Sequence, residues 1–219
     1  GNPNTGKSVF FNQLTGIGVT VSNYPGTTVE LFQGTFKFKG KKIILIDLPG
    51  IYSLGSMSED QLVARRSILS ESNAVIVNIV DASNLERHLN LTLQILELGI
   101  PVIVALNMID EAEKRGIKID VNKLSATLGV PVIPTIAIRG EGIKEVVEAA
   151  LNLYYQKNKV NILKIKYGKD IEKIISNLEE MIKNEMKKIP YNLPPRGLAV
   201  RLLEGDYELT EKVKNLSPK

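Results

Sequence analysis

The 219-residue sequence contains no cysteine and a single histidine, His88. Without thiols there is neither a disulfide framework nor a thiolate metal site, and one imidazole cannot build a multi-histidine cage. His88 follows Asn84-Leu85-Glu86-Arg87 near the start of a helical pattern and is expected at the surface. Long apolar runs are missing as well: the stretch from Ile100 to Leu106 is among the longest, well short of the roughly 20 residues of a membrane-spanning helix. Neither sign of charge dominates, with 28 basic and 24 acidic side chains. The imbalance is local, since residues 1–150 carry 14 basic and 15 acidic groups and residues 151–219 carry 14 and 9. In the second stretch the signs alternate, which reads as a solvated lysine-rich helix surface rather than a contact for acidic lipid or nucleic acid.

What is present is more specific. A hydrophobic content of 43% and a charged content of 24% are ordinary for a globular chain, and the length suits a domain of about 150 residues with a small appendage. Gly1-Asn2-Pro3-Asn4-Thr5-Gly6-Lys7-Ser8 is a complete G-x-x-x-x-G-K-S phosphate-binding loop. Its glycines let backbone N–H groups point at phosphate oxygens, Lys7 reaches the β- and γ-phosphates, and the Ser8 hydroxyl ligates Mg²⁺. Such a loop hangs from the end of a buried strand. A strand is therefore expected ahead of Gly1, and the sequence reads as a piece of a longer chain.

Strand patterns run over 31–38, 42–47, 74–80, 101–107 and 131–137, the last three apolar almost throughout, as in parallel strands covered on both faces. Helical patterns lie between them at 7–16, 58–70, 85–98, 122–129 and 143–156. This alternation predicts an α/β fold with a mostly parallel, doubly wound sheet, and Lys39-Gly40-Lys41 predicts a hairpin at one edge. Beyond about residue 157 strand signals cease. Ile171, Ile174, Ile175, Leu178, Met181, Ile182 and Ile189 recur at helical spacing over 170–189, and a second helix is expected after Pro194-Pro195 with Leu198, Leu202 and Leu203 inward. The expected division is a domain at 1–156 and a small helical subdomain at 157–219.

Three more elements follow the phosphate loop in order. Asp47-Leu48-Pro49-Gly50 ends an apolar strand in the D-x-x-G pattern, where Asp47 serves Mg²⁺ and the Gly50 N–H meets a γ-phosphate. Asn107-Met108-Ile109-Asp110 resembles the base-reading N-K-x-D pattern. Asp110 can accept from guanine's N1–H and N2 amino group, whereas adenine offers it no such pair. Met108 replaces a lysine whose stem covers the base, so weaker binding and quicker GDP release are expected. Between these, Ser22 to Glu30 is a polar, unpatterned loop. It includes Gly26, Thr27 and Thr28, and Thr28 ahead of Thr27 is the candidate to complete the Mg²⁺ shell. Last, Ala137 and Ile138, in Ile136-Ala137-Ile138-Arg139-Gly140, lie where backbone N–H groups close over a base.

Together these elements resemble a GTPase domain of the Ras-like P-loop class over residues 1–156. More closely, G-N-P-N-T-G-K-S, N-Y-P-G-T-T-V-E, D-L-P-G-I-Y-S-L and N-M-I-D are similar to the cytosolic domain of the ferrous iron transport protein B family. The resemblance implies a Ras-like fold followed by a helical segment that slows nucleotide release, and a transmembrane Fe²⁺ permease on the same parent chain. It places the domain at the cytoplasmic face of the cell membrane, with GTP or GDP and Mg²⁺ bound. Small cytosolic regulatory proteins and self-association are further expected partners; nucleic acid is not. Ile51 stands where Ras-like enzymes carry the glutamine that orients water. Family members with an asparagine at the position of Asn4 use K⁺ as an activating ion, which implies slow, K⁺-stimulated hydrolysis carried by Lys7, Asn4 and Gly50. Two other readings share these motifs: a soluble K⁺-type GTPase of ribosome or tRNA maturation, and a GTP-binding regulatory module with negligible catalysis.

Overall fold

A computed structural model describes residues 1–16, 19–55, 58–71, 73–156 and 165–216. Six strands form two sheets among these residues. β1 (Thr20–Asn23), β2 (Glu30–Phe38) and β3 (Lys41–Asp47) make an antiparallel sheet; β4 (Ile76–Asp81), β5 (Val102–Asn107) and β6 (Val132–Pro134) make a parallel one. The expected hairpin is β2–β3, where Phe38 pairs with Lys41 across Lys39 and Gly40, at φ 46° and 73°. Two successive positive φ values match the right-handed twist of the strands they join. β1 was not legible: its four residues are all exposed and carry no apolar alternation, and main-chain pairing to β2 alone defines it.

Every residue of β5 is buried, as the continuous apolar run predicts for a central parallel strand. Its side chains alternate between two cores. Ile103 and Ala105 join Phe10 of α1 (Lys7–Thr15) and Val146 of α6 (Ile143–Tyr155) on one face. Val102, Val104 and Leu106 join α2 (Glu59–Ser70) and α3 (Leu85–Glu97) on the other. α2 starts where Ser58 accepts from the Gln61 N–H at 3.2 Å and Glu59 and Asp60 complement the helix dipole. The crossover from β5 to β6 carries α4 (Ile109–Lys114) and α5 (Val121–Leu128), the latter capped by Asp120. β3 and β4 each end their sheet, and an apolar cleft of about 390 Å³ lies between them, lined by Leu31, Ile44, Ile46, Val77 and Ile79.

The C-terminal helices share the α2/α3 core. Ile175 and Ile182 of α7 (Lys169–Glu185), Leu198 of α8 (Pro195–Leu203) and Leu209 of α9 (Tyr207–Leu216) are all buried there. α8 approaches α3 so closely that a β-carbon on Gly197 would stand 2.6 Å from the Glu97 carbonyl. The expected helix over 170–189 stops at Glu185, because the chain turns extended toward Ile189 and Pro190. Ile171, Ile174, Met181 and Leu203, expected inward, are exposed. The expected boundary between 156 and 157 falls at residues 157–164, which lie outside the described residues. His88 is also corrected: it is only 6% exposed, and its Nδ1 accepts from the Asp81 N–H at 3.0 Å. Burial holds its pKa below the ordinary value, so at neutral pH it is an uncharged acceptor inside the fold.

Arg65 on α2 joins the two parts of the chain. Its guanidinium donates to Asp206 and to Glu208 at 2.7 Å each, with the Arg65 and Asp206 side chains 3% and 5% exposed. Arg66 reaches Glu208 at 3.1 Å, and Asp206 also caps α9 through the Leu209 N–H. Burial would raise the Glu208 pKa, but its bonds to Arg66 and Arg65 hold it below the usual carboxylate range. Arg65→Met should therefore leave the enclosed Asp206 carboxylate without its cation, Glu208 keeping only Arg66, and lower unfolding stability by about 3–5 kcal/mol in urea titrations at neutral pH; an unchanged midpoint would show that the pair does not anchor α2.

Candidate functional site

Residues 1–6 form a tight loop that feeds α1. Thr5, fully buried, donates its hydroxyl to the Asn2 carbonyl at 3.0 Å, while Asn4 and Gly6 adopt left-handed φ values of 62° and 86°. A non-glycine residue in that region costs roughly 1–2 kcal/mol, so the surrounding contacts impose the conformation of Asn4. Gly6 has no room for a side chain, because a β-carbon there would meet the Asn107 amide nitrogen at 2.5 Å. Lys7 and Ser8 then open α1, with Ser8 exposed.

The D-x-x-G segment lies against this loop. The Ile51 N–H donates to the Gly1 carbonyl at 3.3 Å, and a β-carbon on Gly50 would stand 3.0 Å from both Lys7 Nζ and the Pro3 Cα. Pro3, Lys7 and Gly50 are thus brought together. Asp47, at the end of β3, is half-buried; burial lifts its pKa above the ordinary value, against the pull of Lys7. Leu48 and Pro49 are half-buried, and Ile51 is fully buried.

Asn107, at the buried end of β5, joins three segments. Its Nδ2 donates to the Thr5 carbonyl at 2.8 Å, and its Oδ1 accepts from the Ala137 N–H at 2.9 Å and from the Thr135 hydroxyl at 3.2 Å. The Ala137–Ile138 turn, the poorest of the sequence matches, therefore sits beside the N-M-I-D segment and the phosphate loop. Ile138 itself is 73% exposed. Met108 takes a left-handed φ of 59° and caps α4, which places Asp110 in the first turn of that helix.

Of the expected 22–30 loop, Ser22 and Asn23 pair in β1 and Glu30 in β2, which leaves residues 24–29 as the loop itself. Thr27 bonds within the loop, to the Tyr24 carbonyl at 3.0 Å and from the Val29 N–H at 3.3 Å. Thr28 donates to Glu59 at the start of α2, at 3.1 Å, and Gly26 has open space around it. Sequence reasoning missed Thr135, Glu59 and Arg139, whose guanidinium lies 3.6 Å from Asp110. Thr135 and Glu59 lie outside the recognised motifs and Arg139 lies in the 136–140 turn without a role of its own, so only their positions could have drawn notice.

With that geometry in place, comparisons with known proteins are informative. The family profile described as Ferrous iron transport protein B matches residues 1–150, and the one described as FeoB cytosolic helical domain matches 167–219. The Fe(2+) transporter FeoB of Escherichia coli strain K12 is 45% identical over 210 residues, 94% of this chain and 26% of the relative. A fusion of Fe(2+) transport protein A with Fe(2+) transporter FeoB from Porphyromonas gingivalis is 44% identical over 97% of this chain and 25% of the relative. The chain thus spans about a quarter of the length of these relatives. The cytosolic domain of the T. maritima FeoB iron transporter, solved in a GMPPNP form, superimposes with a TM-score of 0.90 at 38% identity over all of this chain and 84% of that one. In its apo form the TM-score is 0.89 at 40% identity, over 100% and 84% of the two chains. The expected α/β architecture, a Ras-like P-loop fold with a helical C-terminal part, is the fold of this chain.

If Asn107 carries the framework, Asn107→Asp should replace a donor with an acceptor facing the Thr5 carbonyl. A stability loss of about 1–3 kcal/mol is expected in nucleotide-free denaturant unfolding; retention of the wild-type midpoint would contradict that role.

Proposed function

This chain belongs to the ferrous iron transport protein B family, and on that premise we propose that it is the GTP-binding, slowly GTP-hydrolysing switch domain of a membrane transporter for Fe²⁺. The observation that carries the reading is the Asn107 bracket, which fixes the phosphate loop, the Ala137 turn and the Asp110 segment around one point. Gly1 to Ser8 would enclose the phosphates, and Asp110, with Met108, Ala137 and Ile138, would recognise guanine. Gly26, Thr27, Thr28 and Asp47 to Gly50 would follow the γ-phosphate. Residues 1–156 form the GTPase domain in this account. Residues 157–219 form a helical subdomain that slows nucleotide release. The permease part of the parent chain is the partner whose opening the nucleotide controls, at the cytoplasmic face of the membrane. Small cytosolic regulators and self-association follow from the same resemblance.

The donor chemistry suits the cations that this function requires. Ser8, Thr28 and Asp47 offer hard oxygens for Mg²⁺, and no group of three or more acidic, histidine or cysteine side chains is gathered among the described residues. Mg²⁺ is usually held by one or two carboxylates with phosphate oxygens and water, and this set supplies one carboxylate and two hydroxyls. Asn4, exposed on its left-handed turn, offers a carbonyl oxygen for K⁺. When bound, both cations neutralise charge developing on the transferring phosphoryl group. The rest falls to the chain itself. Lys7 and the Gly50 N–H hold the γ-phosphate, Ile51 cannot bond the attacking water, and Thr28 must leave Glu59 to reach the site.

Single-turnover phosphate release should be at least about tenfold faster in K⁺ than in Na⁺, and Asn4→Ala should abolish the difference while nucleotide still binds. Equal rates in both salts would contradict the K⁺ assignment, and no turnover in either would favour a purely regulatory module. Asp47 must be ionised to hold Mg²⁺, and burial raises its pKa. Mg²⁺-dependent retention of fluorescent GDP should therefore fall away on acidification at a higher pH than an exposed aspartate would give, and Asp47→Asn should lack that step. A Mg²⁺ affinity that stays constant on mild acidification would remove Asp47 from the metal site.

A further inference from the structure

Asp110 is not alone. Two cations approach it, both toward the same oxygen: Lys114 Nζ lies 3.9 Å and the Arg139 guanidinium 3.6 Å from Oδ2. The two cations are not equivalent. Lys114 sits one turn along the same helix and has its own hydrogen-bonded partner, Glu111, at 2.7 Å. Arg139 arrives from the turn after β6, and its ion pairs, with Asp110 at 3.6 Å and Glu141 at 3.9 Å, both lie beyond hydrogen-bond distance.

The backbone that carries Arg139 is fixed. Ala137 is held by Asn107, the Arg139 N–H donates to the Ile136 carbonyl at 2.9 Å, and Ile136 bridges to Glu141. The side chain faces both carboxylates at once, Nη2 toward Asp110 and Nη1 toward Glu141. The Asp110 side chain is 15% exposed and that of Arg139 55%, so the charge facing the carboxylate is partly screened by water. Guanine presents two parallel donors that need both oxygens of one carboxylate. A guanidinium over Oδ2 weakens that oxygen as an acceptor and stands where the second donor must approach.

We propose that Arg139 is an affinity-determining latch of the base site: it spans Asp110 and Glu141 when the site is empty and keeps only Glu141 when guanine takes the Asp110 carboxylate. The proposal rests on the assignment of Asp110 to guanine. It makes the empty state more favourable than it would otherwise be and so hastens release of the diphosphate, through a charge to which no sequence motif assigns a role. It also gives Glu141 a purpose, as the second seat of the arginine.

The test is equilibrium and stopped-flow binding of fluorescent GDP to the chain with Mg²⁺ present. Arg139→Gln should tighten binding by about threefold to fivefold, as expected for one exposed ion pair, mainly through slower dissociation. Glu141→Gln, which removes the second seat, should weaken binding. Both effects should shrink at high ionic strength. In an Asp110→Asn background read with xanthosine diphosphate, Arg139→Gln should change nothing. Unchanged or weaker GDP binding by Arg139→Gln overturns the latch, the latter meaning that the arginine supports the base. Should Asp110→Asn fail to move preference from guanine to xanthine, the base assignment and the latch fall together. A normal shift in preference with no effect at Arg139 rejects the latch alone.

Discussion

A single buried carboxamide sets the geometry on which everything else depends. Asn107 accepts from the Ala137 turn and donates to the phosphate loop, and it can do both only because its amide carries donor and acceptor on one rigid plane. It sits at the end of the most enclosed strand, where an unmet polar group would be costly. The bond to the Thr5 carbonyl helps to hold the strained turn of Asn4 and Gly6 in place. Phosphate loop and base-side turns are therefore not independent loops but one unit. What lies outside it, the 24–29 loop above all, is tied more lightly and is the part best suited to move.

A second anchor works at longer range. Arg65 is enclosed between α2 and α9, and α2 also receives Thr28 through Glu59. The helix that follows the D-x-x-G segment is thus fastened at its middle to the C-terminal helices and touched at its start by the 24–29 loop. Buried ion pairs contribute little net stability but are costly to break. That asymmetry suits a coupling element, because α2 cannot shift without its C-terminal partners shifting too. The exposed apolar residues of α7 add nothing to this anchor; its inward face, through Ile175 and Ile182, does the packing.

The parallel half of the fold was legible because its signals are local and redundant. An all-apolar run such as 102–106 is readable as a covered strand, and the spacing of Gly1, Gly6 and Lys7 dictates a phosphate loop without reference to the rest. β1 and α9 were not legible, since main-chain pairing creates one and the Asp206 cap with its arginine the other. His88 misled because a polar residue near a helix start is usually solvated; the Asp81 N–H that holds it inside comes from another element. Arg139 is the same lesson at the site. Its role depends on which carboxylate the fold carries to it, and no spacing along the chain encodes that.

The central claim is that one amide-lined loop and one carboxylate together select a guanine nucleotide. The most direct measurement is an equilibrium titration of this chain with fluorescent GTP and Mg²⁺, displaced in turn by unlabelled GTP, GDP and ATP. The account predicts that GTP and GDP displace the label and ATP does not, even in large excess. Displacement by ATP as readily as by GTP, or no retention of label at all, would contradict it.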